Sequence, residues 1–203
     1  MKPPHEITSK ILNLVASISE KKMLQLHKLV DLEVVSPATK VPFKNLYKTP
    51  HTLGVDRIAL VSGGIKKYPN KNVLLIDAGT CITFDFVNSK SEYLGGAISP
   101  GITMRYKALH NFTANLPLLE KNELKNFIGK STNESINSGV VNGVIKELDG
   151  VILEYKEKYG NLTVVLTGGD TNFLSKQLKS SIFANQNFLL KGLNEILIFN
   201  KNK

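Results

Sequence analysis

Val73-Leu74-Leu75-Ile76-Asp77-Ala78-Gly79-Thr80-Cys81-Ile82-Thr83-Phe84-Asp85 is the stretch on which the fold turns. Its opening apolar run predicts a buried strand, and the residues from Cys81 onward predict a second one. Between them Asp77-Ala78-Gly79-Thr80 reverses the chain, and Gly79 removes the side chain that would keep a ligand off the backbone. The turn reads as a phosphate loop, offering backbone N–H groups, the Thr80 hydroxyl and the Asp77 carboxylate to a phosphate and its cation. Taken alone the same four residues also fit a plain hairpin, because Asp and Gly are ordinary turn residues.

The flanking pattern narrows the choice. Tyr93–Ile98 reads as a third strand, joined to Cys81–Val87 by the polar turn 88–91, so the three predict a meander. Gly95-Gly96 and then Pro100-Gly101 lead into a helix carrying Met104, Tyr106 and Leu109. Ser131 and Glu134 form a capping box for a long helix, whose apolar positions Ile136, Val140, Val144, Leu148 and Ile152 define one core face. The opposite stripe holds Gly139, Gly143 and Gly150, each costing about 1 kcal/mol relative to alanine. That cost predicts a second element or a partner subunit lying close against the stripe. Gly160 ends the helix, Leu162–Thr167 reads as a strand, and Gly168-Gly169-Asp170 forms a second candidate nucleotide loop before a helix over 171–179. A short strand at 188–190 and a helix over 192–198 close the chain. Three strands, helices, strand, helix, strand and helix is the order of an α/β domain of ribonuclease-H-like type.

Upstream, residues 8–30 carry helical spacing in Ile11, Leu12, Leu14, Val15 and Ile18, then in Met23, Leu24, Leu26 and Leu29. Residues 32–35 read as a strand, and Pro37, Pro42 and Pro50 make 36–53 an extended connection. Gly54 then opens a helix with Asp56 and Arg57 in its first turn. The helix dipole favours a carboxylate there, so Asp56 also fits a simple first-turn acid.

At 203 residues, 42% hydrophobic and 21% charged, the chain has the composition of an ordinary globular protein with a full core. Its single cysteine, Cys81, excludes an internal disulfide and has no histidine or carboxylate constellation to make it a nucleophile. Neither a secretory apolar region nor a bilayer-length apolar run is visible, so a cytoplasmic protein without a membrane partner is expected. The net charge of +9 raises nucleic-acid binding as a class. The lysines, however, are scattered in ones and twos without aromatic interleaving or a known binding signature, so no nucleic-acid partner is expected. His5, His27, His51 and His110 show no metal-ligand spacing.

Five stretches in order carry a resemblance. They are Tyr47 and Thr49-Pro50 ahead of Leu53-Gly54-Val55-Asp56-Arg57; Asp77 to Thr80 with Thr83 and Asp85; Gly95-Gly96 through Pro100-Gly101; Ser131-Thr132 followed by Gly139; and Thr167-Gly168-Gly169-Asp170. Together they resemble the type III pantothenate kinases, of the acetate and sugar kinase, Hsp70 and actin superfamily. The resemblance implies an actin-like ATPase fold and ATP-dependent phosphorylation of pantothenate to 4'-phosphopantothenate, the first step of coenzyme A biosynthesis. It implies Asp56 as proton acceptor from the pantothenate hydroxyl, with Tyr47, Gly54, Val55, Arg57 and Thr132 lining the pantothenate pocket. Thr80, Gly79, Gly168 and Gly169 would contact ATP, Asp77 would hold a monovalent cation (K+ or NH4+), and Mg2+ would bridge the phosphates. A homodimer is also implied.

The family opens with a strand ending in Asp-x-Gly-Asn-Thr, which this sequence does not contain ahead of its first helical segment. The expectation is therefore an incomplete first ribonuclease-H-like domain over 1–67 and a second one over 68–203. A catalytically inactive relative or fragment, serving as a ligand- or protein-binding module, is the alternative reading.

Overall fold

The computed structural model describes residues 10–12, 21, 24, 25, 28, 32–123 and 126–201. Strands β1 (Lys10–Leu12) and β2 (Leu32–Val34) form a small parallel pair. The main sheet has the order β3-β6-β5-β4-β7-β8, built from β3 (Lys44–Asn45), β4 (Asn72–Ala78), β5 (Cys81–Val87), β6 (Glu92–Pro100), β7 (Leu162–Thr167) and β8 (Phe183–Ala184). The helices are α1 (Val55–Lys67), α2 (Ile102–Asn111), α3 (Thr132–Tyr159), the one-turn α4 (Thr171–Leu174) and α5 (Phe188–Lys201).

β4, β5 and β6 make the expected antiparallel meander, while β7 runs parallel to β4 and β8 parallel to β7. A three-stranded meander continued by parallel strands beside its first strand is the ribonuclease-H-like topology. The alternation of side chains gives the sheet two apolar faces, as a central strand covered on both sides requires. Leu74, Ile76, Ile82, Phe84 and Phe86 join Tyr106 of α2 and Val140, Val144, Leu148 and Ile152 of α3 in one core. Val73, Leu75 and Val87 join Ile58 to Val61 of α1 and Phe188, Leu193 and Ile196 of α5 in the other.

Several details depart from the sequence reading. Ile11 and Leu12, assigned to a helix, lie in β1, where pairing with β2 gives them a ladder partner. Lys21, Leu24, Gln25 and Lys28 are helical, whereas Leu14, Val15, Ile18, Met23, Leu26 and Leu29 lie outside the described residues. The helix expected over 171–179 stops at Leu174. Past it, the Asp149 carboxylate accepts the N–H groups of Lys179 (3.2 Å) and Ser180 (3.0 Å), holding that backbone outside any helical ladder. Residues 188–190 are the first turn of α5 and not a strand; the last strand is β8. Phe188 is spaced with Gly192, Leu193, Ile196 and Leu197 so that all five fall on one buried helix face. Among the described residues nothing covers the glycine stripe of α3: a Cβ placed on Gly139, Gly143 or Gly150 meets nothing within 4 Å.

Contact between α1 and α5 is at backbone distance. A Cβ on Gly192 would lie 1.9 Å from the Ala59 carbonyl oxygen, and one on Gly63 would lie 3.0 Å from the Gly192 Cα. Because the obstacle is backbone, Gly192→Ala should separate the helices and destabilise the protein by roughly 1–3 kcal/mol. A lowered urea midpoint with an unchanged slope is the expected readout.

Candidate active site

The site is assembled where β4 and β7 end. Their parallel register places Asp77 beside Thr167, and the antiparallel register with β5 places Asp77 beside Thr83. Ligand sites of open α/β sheets form at such carboxyl ends. Two glycine turns close around the β4–β5 hairpin. Gly168 has φ +96°, and a Cβ on it would come 2.3 Å from Asp77 Oδ1 and 2.4 Å from Ala78 O, so both its conformation and its contacts require glycine. Asp170 N–H donates to Ala78 O (2.9 Å), and Gly101 N–H donates to Thr80 O (3.1 Å). The hairpin consumes one donor expected to be free, since Gly79 N–H donates to Cys81 O (3.0 Å). Thr80 is exposed at its tip, and Gly169 is exposed with open space around its Cα.

A second group of residues stands on the same sheet face. Arg57 reaches from the first turn of α1 to Asp85 on β5, with Nε donating to Oδ1 at 2.8 Å and Nη2 at 2.7 Å from the same oxygen. Tyr93 Oη donates to that oxygen as well (2.7 Å), and Asp85 is wholly buried. Tyr47 stacks on Tyr93 with ring centroids 6.1 Å apart, and the Arg57 guanidinium lies 5.6 Å from the Tyr47 ring centroid. Its presentation is local: Asn45 Oδ1 accepts Tyr47 N–H (3.0 Å), and Leu46 N–H donates to Tyr93 O (3.0 Å).

Asp56 is half-buried beside Arg57, whose backbone N–H donates to Asp56 Oδ1 at 2.8 Å. A Cβ on Gly54 would fall 2.4 Å from that carboxylate oxygen, so the glycine is needed here for space. Val55 is half-buried in the same turn. Thus Tyr47, Gly54, Val55, Asp56 and Arg57 are brought together, as are Asp77, Gly79, Thr80, Gly168 and Gly169. Thr132 stands elsewhere, at the start of α3, in a groove with Leu109, Leu116, Ser135 and Ile136 that none of those residues lines.

The electrostatics join the two groups. Burial, and then the neighbouring carboxylates of Asp56 and Asp85, push the Asp77 carboxyl up to about 6. Burial also raises the Asp85 carboxyl, opposed by the Arg57 charge and by the hydrogen bonds from Tyr93 and Arg57. Three carboxylates therefore lie within electrostatic reach of one another, and the Arg57 guanidinium is paired with Asp85. Among the described residues no group of three His, Cys, Asp or Glu is placed to hold a metal ion. Sequence reading left Asp85 and Tyr93 without roles; the available signal was an acid in the middle of β5 between Phe84 and Phe86. It also missed Lys121, which pairs with Asp170 and caps the second glycine turn.

Comparison with known proteins agrees with the geometry. A family model described as type III pantothenate kinase matches residues 5–154. The type III pantothenate kinase of Christiangramia forsetii is 53% identical over 195 residues, covering 96% of this chain and 80% of the relative. That of Bacteroides fragilis (strain YCH46) is 44% identical over 200 residues, covering 98% and 82%. A Campylobacter jejuni structure, solved as a Baf family transcriptional activator, shares the fold with a TM-score of 0.59 at 24% identity, over 92% of this chain and 81% of that one. The meander continued by parallel strands makes the sheet ribonuclease-H-like, with acids and glycine turns at its strand ends. The chain belongs to the type III pantothenate kinase family.

The Asp77 environment gives a pH signature. Its ordinary value is 3.8, and in the folded protein it is raised to about 6, so the fold binds this proton more tightly than the unfolded chain does. The resulting stability is complete below about pH 4 and is lost as pH rises through about 6. Asp77→Asn should remove that decline from a melting-temperature profile in ion-poor buffer and leave the variant more stable than the parent at pH 7.

Proposed function

We infer that this protein phosphorylates pantothenate with ATP, giving 4'-phosphopantothenate, the first step toward coenzyme A. The observation that carries the reading is family membership together with Asp56 held beside Arg57 in the first turn of α1, next to a hairpin of phosphate-loop form. In phosphoryl transfer, positioning and charge neutralisation matter more than early deprotonation, so a weak carboxylate base suffices.

Asp56 takes the proton of the pantothenate hydroxyl, and the N–H of Arg57 fixes the carboxylate that receives it. Tyr47, Gly54, Val55 and Arg57 line the acceptor pocket; Thr132 is added to it on the resemblance alone. Gly79, Thr80, Gly168 and Gly169 form the nucleotide side, where the exposed Thr80 hydroxyl and the open Gly169 admit phosphate oxygens. A monovalent cation, K+ or NH4+, suits Asp77, because a single positive charge offsets the burial and the neighbouring carboxylates that raise its carboxyl. Mg2+ supplies charge neutralisation across the ATP phosphates. Among the described residues no helix is long and apolar enough to cross a membrane; we place the protein in the cytoplasm, consistent with its single cysteine.

Asp56→Ala should lower pantothenate-dependent ADP release by at least about 100-fold, the usual range for loss of a general base, with an unchanged circular dichroism spectrum. Unchanged turnover would remove Asp56 from this role. We also propose a homodimer in which the partner seats on the open Gly139, Gly143 and Gly150 stripe of α3. Sedimentation velocity should show a dimer for the parent and a monomer for Gly143→Leu, while a monomeric parent would count against the pairing.

A further inference from the structure

Asp85 is an expensive residue to bury, and its surroundings show what it holds. It lies on β5 opposite Leu75 and Gly96, in the middle of the sheet, with no exposed surface. A carboxylate there loses its hydration and is retained only with charged and hydrogen-bonded partners. Oδ1 takes the close contacts, from Arg57 Nε, Arg57 Nη2 and Tyr93 Oη, and Thr83 on the same strand adds a weaker interaction. Neither Asp85 Oδ2 nor the nearby Thr83 Oγ1 has an aligned hydrogen-bond partner, and Arg57 Nη2 approaches Oδ1 without alignment. The carboxylate is thus aimed at two side chains, and each of them leads to a different wall of the acceptor pocket.

Through Arg57 the path runs to the proton acceptor. Anchoring the guanidinium to a central strand fixes the first turn of α1, and the Arg57 N–H in that turn fixes the Asp56 carboxylate at 2.8 Å. Through Tyr93 the path runs to Tyr47, whose ring stacks on Tyr93 and stands over the guanidinium. Tyr47 also rests against Gly95, which has φ +101° and would carry a Cβ only 3.2 Å from the ring.

We propose that Asp85 is the positioning residue of the phosphoryl-acceptor site, setting Asp56 through Arg57 and the Tyr47 wall through Tyr93. It reaches no substrate itself. The inference rests on the kinase reading above for its activity readout, and it makes a selective claim. Among the described residues the nucleotide side, built on the β4–β5 and β7–α4 turns, has no hydrogen bond to this group and meets it only through the Asp85 charge near Asp77, so disturbance of Asp85 should be felt far more by pantothenate than by ATP.

Asp85→Asn keeps the shape and an acceptor oxygen and removes the carboxylate. With the full chain, steady-state kinetics should show KM for pantothenate raised at least about tenfold and kcat lowered, a displacement of 1 Å being enough for about a 100-fold rate effect. KM for ATP should stay within about twofold. Tyr93→Phe, which deletes a single hydrogen bond, should shift the same constant in the same direction by a smaller factor; it carries the test if Asp85→Asn does not fold. Equal loss for both substrates, in step with a fall in melting temperature, would reduce Asp85 to a structural residue and overturn the proposal, as would unchanged kinetics. If the parent chain turns over no pantothenate, the kinase reading fails first. The positioning claim is then decided by crystal structures of parent and Asp85→Asn: a shifted Asp56 carboxylate upholds it, and an unmoved one overturns it.

Discussion

The register between β4 and β7 is the constraint on which the site depends. It sets Asp77 level with Thr167, so that the hairpin after one strand and the glycine turn after the other meet at a single height. From that alignment follow the Asp170 to Ala78 hydrogen bond and the approach of Gly168 to the Asp77 carboxylate. Parallel pairing requires a long crossover, and α2 and α3 supply it while covering the sheet face they cross. The other face is left to α1 and α5, and Asp85 projects onto it to meet Arg57.

Charge on that face is unbalanced by design of the fold. Asp56, Asp77 and Asp85 converge, and Arg57 is committed to Asp85 by both contact and burial. Among the described residues no cation pairs with Asp77, and its burial, then the neighbouring carboxylates, raise its proton affinity. A site prepared in this way gains most from a ligand that brings positive charge with it, as a nucleotide accompanied by cations does.

Much of this was readable in the sequence, for reasons that can be named. β4 and β7 are apolar runs ended by glycine, and Asp56 was visible as a first-turn acid after Gly54. The long helix announced itself through Ser131 and Glu134, and Ser131 Oγ does accept the Glu134 N–H at 3.3 Å. What stayed hidden depends on residues distant in sequence. Nothing local says that Arg57 spans 28 positions to reach Asp85, or that Tyr47 leans on Gly95. The 188–190 segment misled because three apolar residues fit a strand as well as a helix turn, and only the partner surface on α1 decides between them. Ile11 and Leu12 misled in the opposite direction, being pulled into a ladder by a strand twenty residues away.

The two-sidedness of β5 has a consequence for how the chain assembles. Ile82, Phe84 and Phe86 face the α3 core, while Asp85 between them faces Arg57. A slip of one position in pairing would exchange the two sets, driving an acid into hydrocarbon and three large apolar groups toward the ligand crevice. Asp85 thereby acts as a spelling mark for the meander: in a misaligned hairpin it would meet the α3 core in place of Arg57, so the register that brings it to its cation is the one the charge favours.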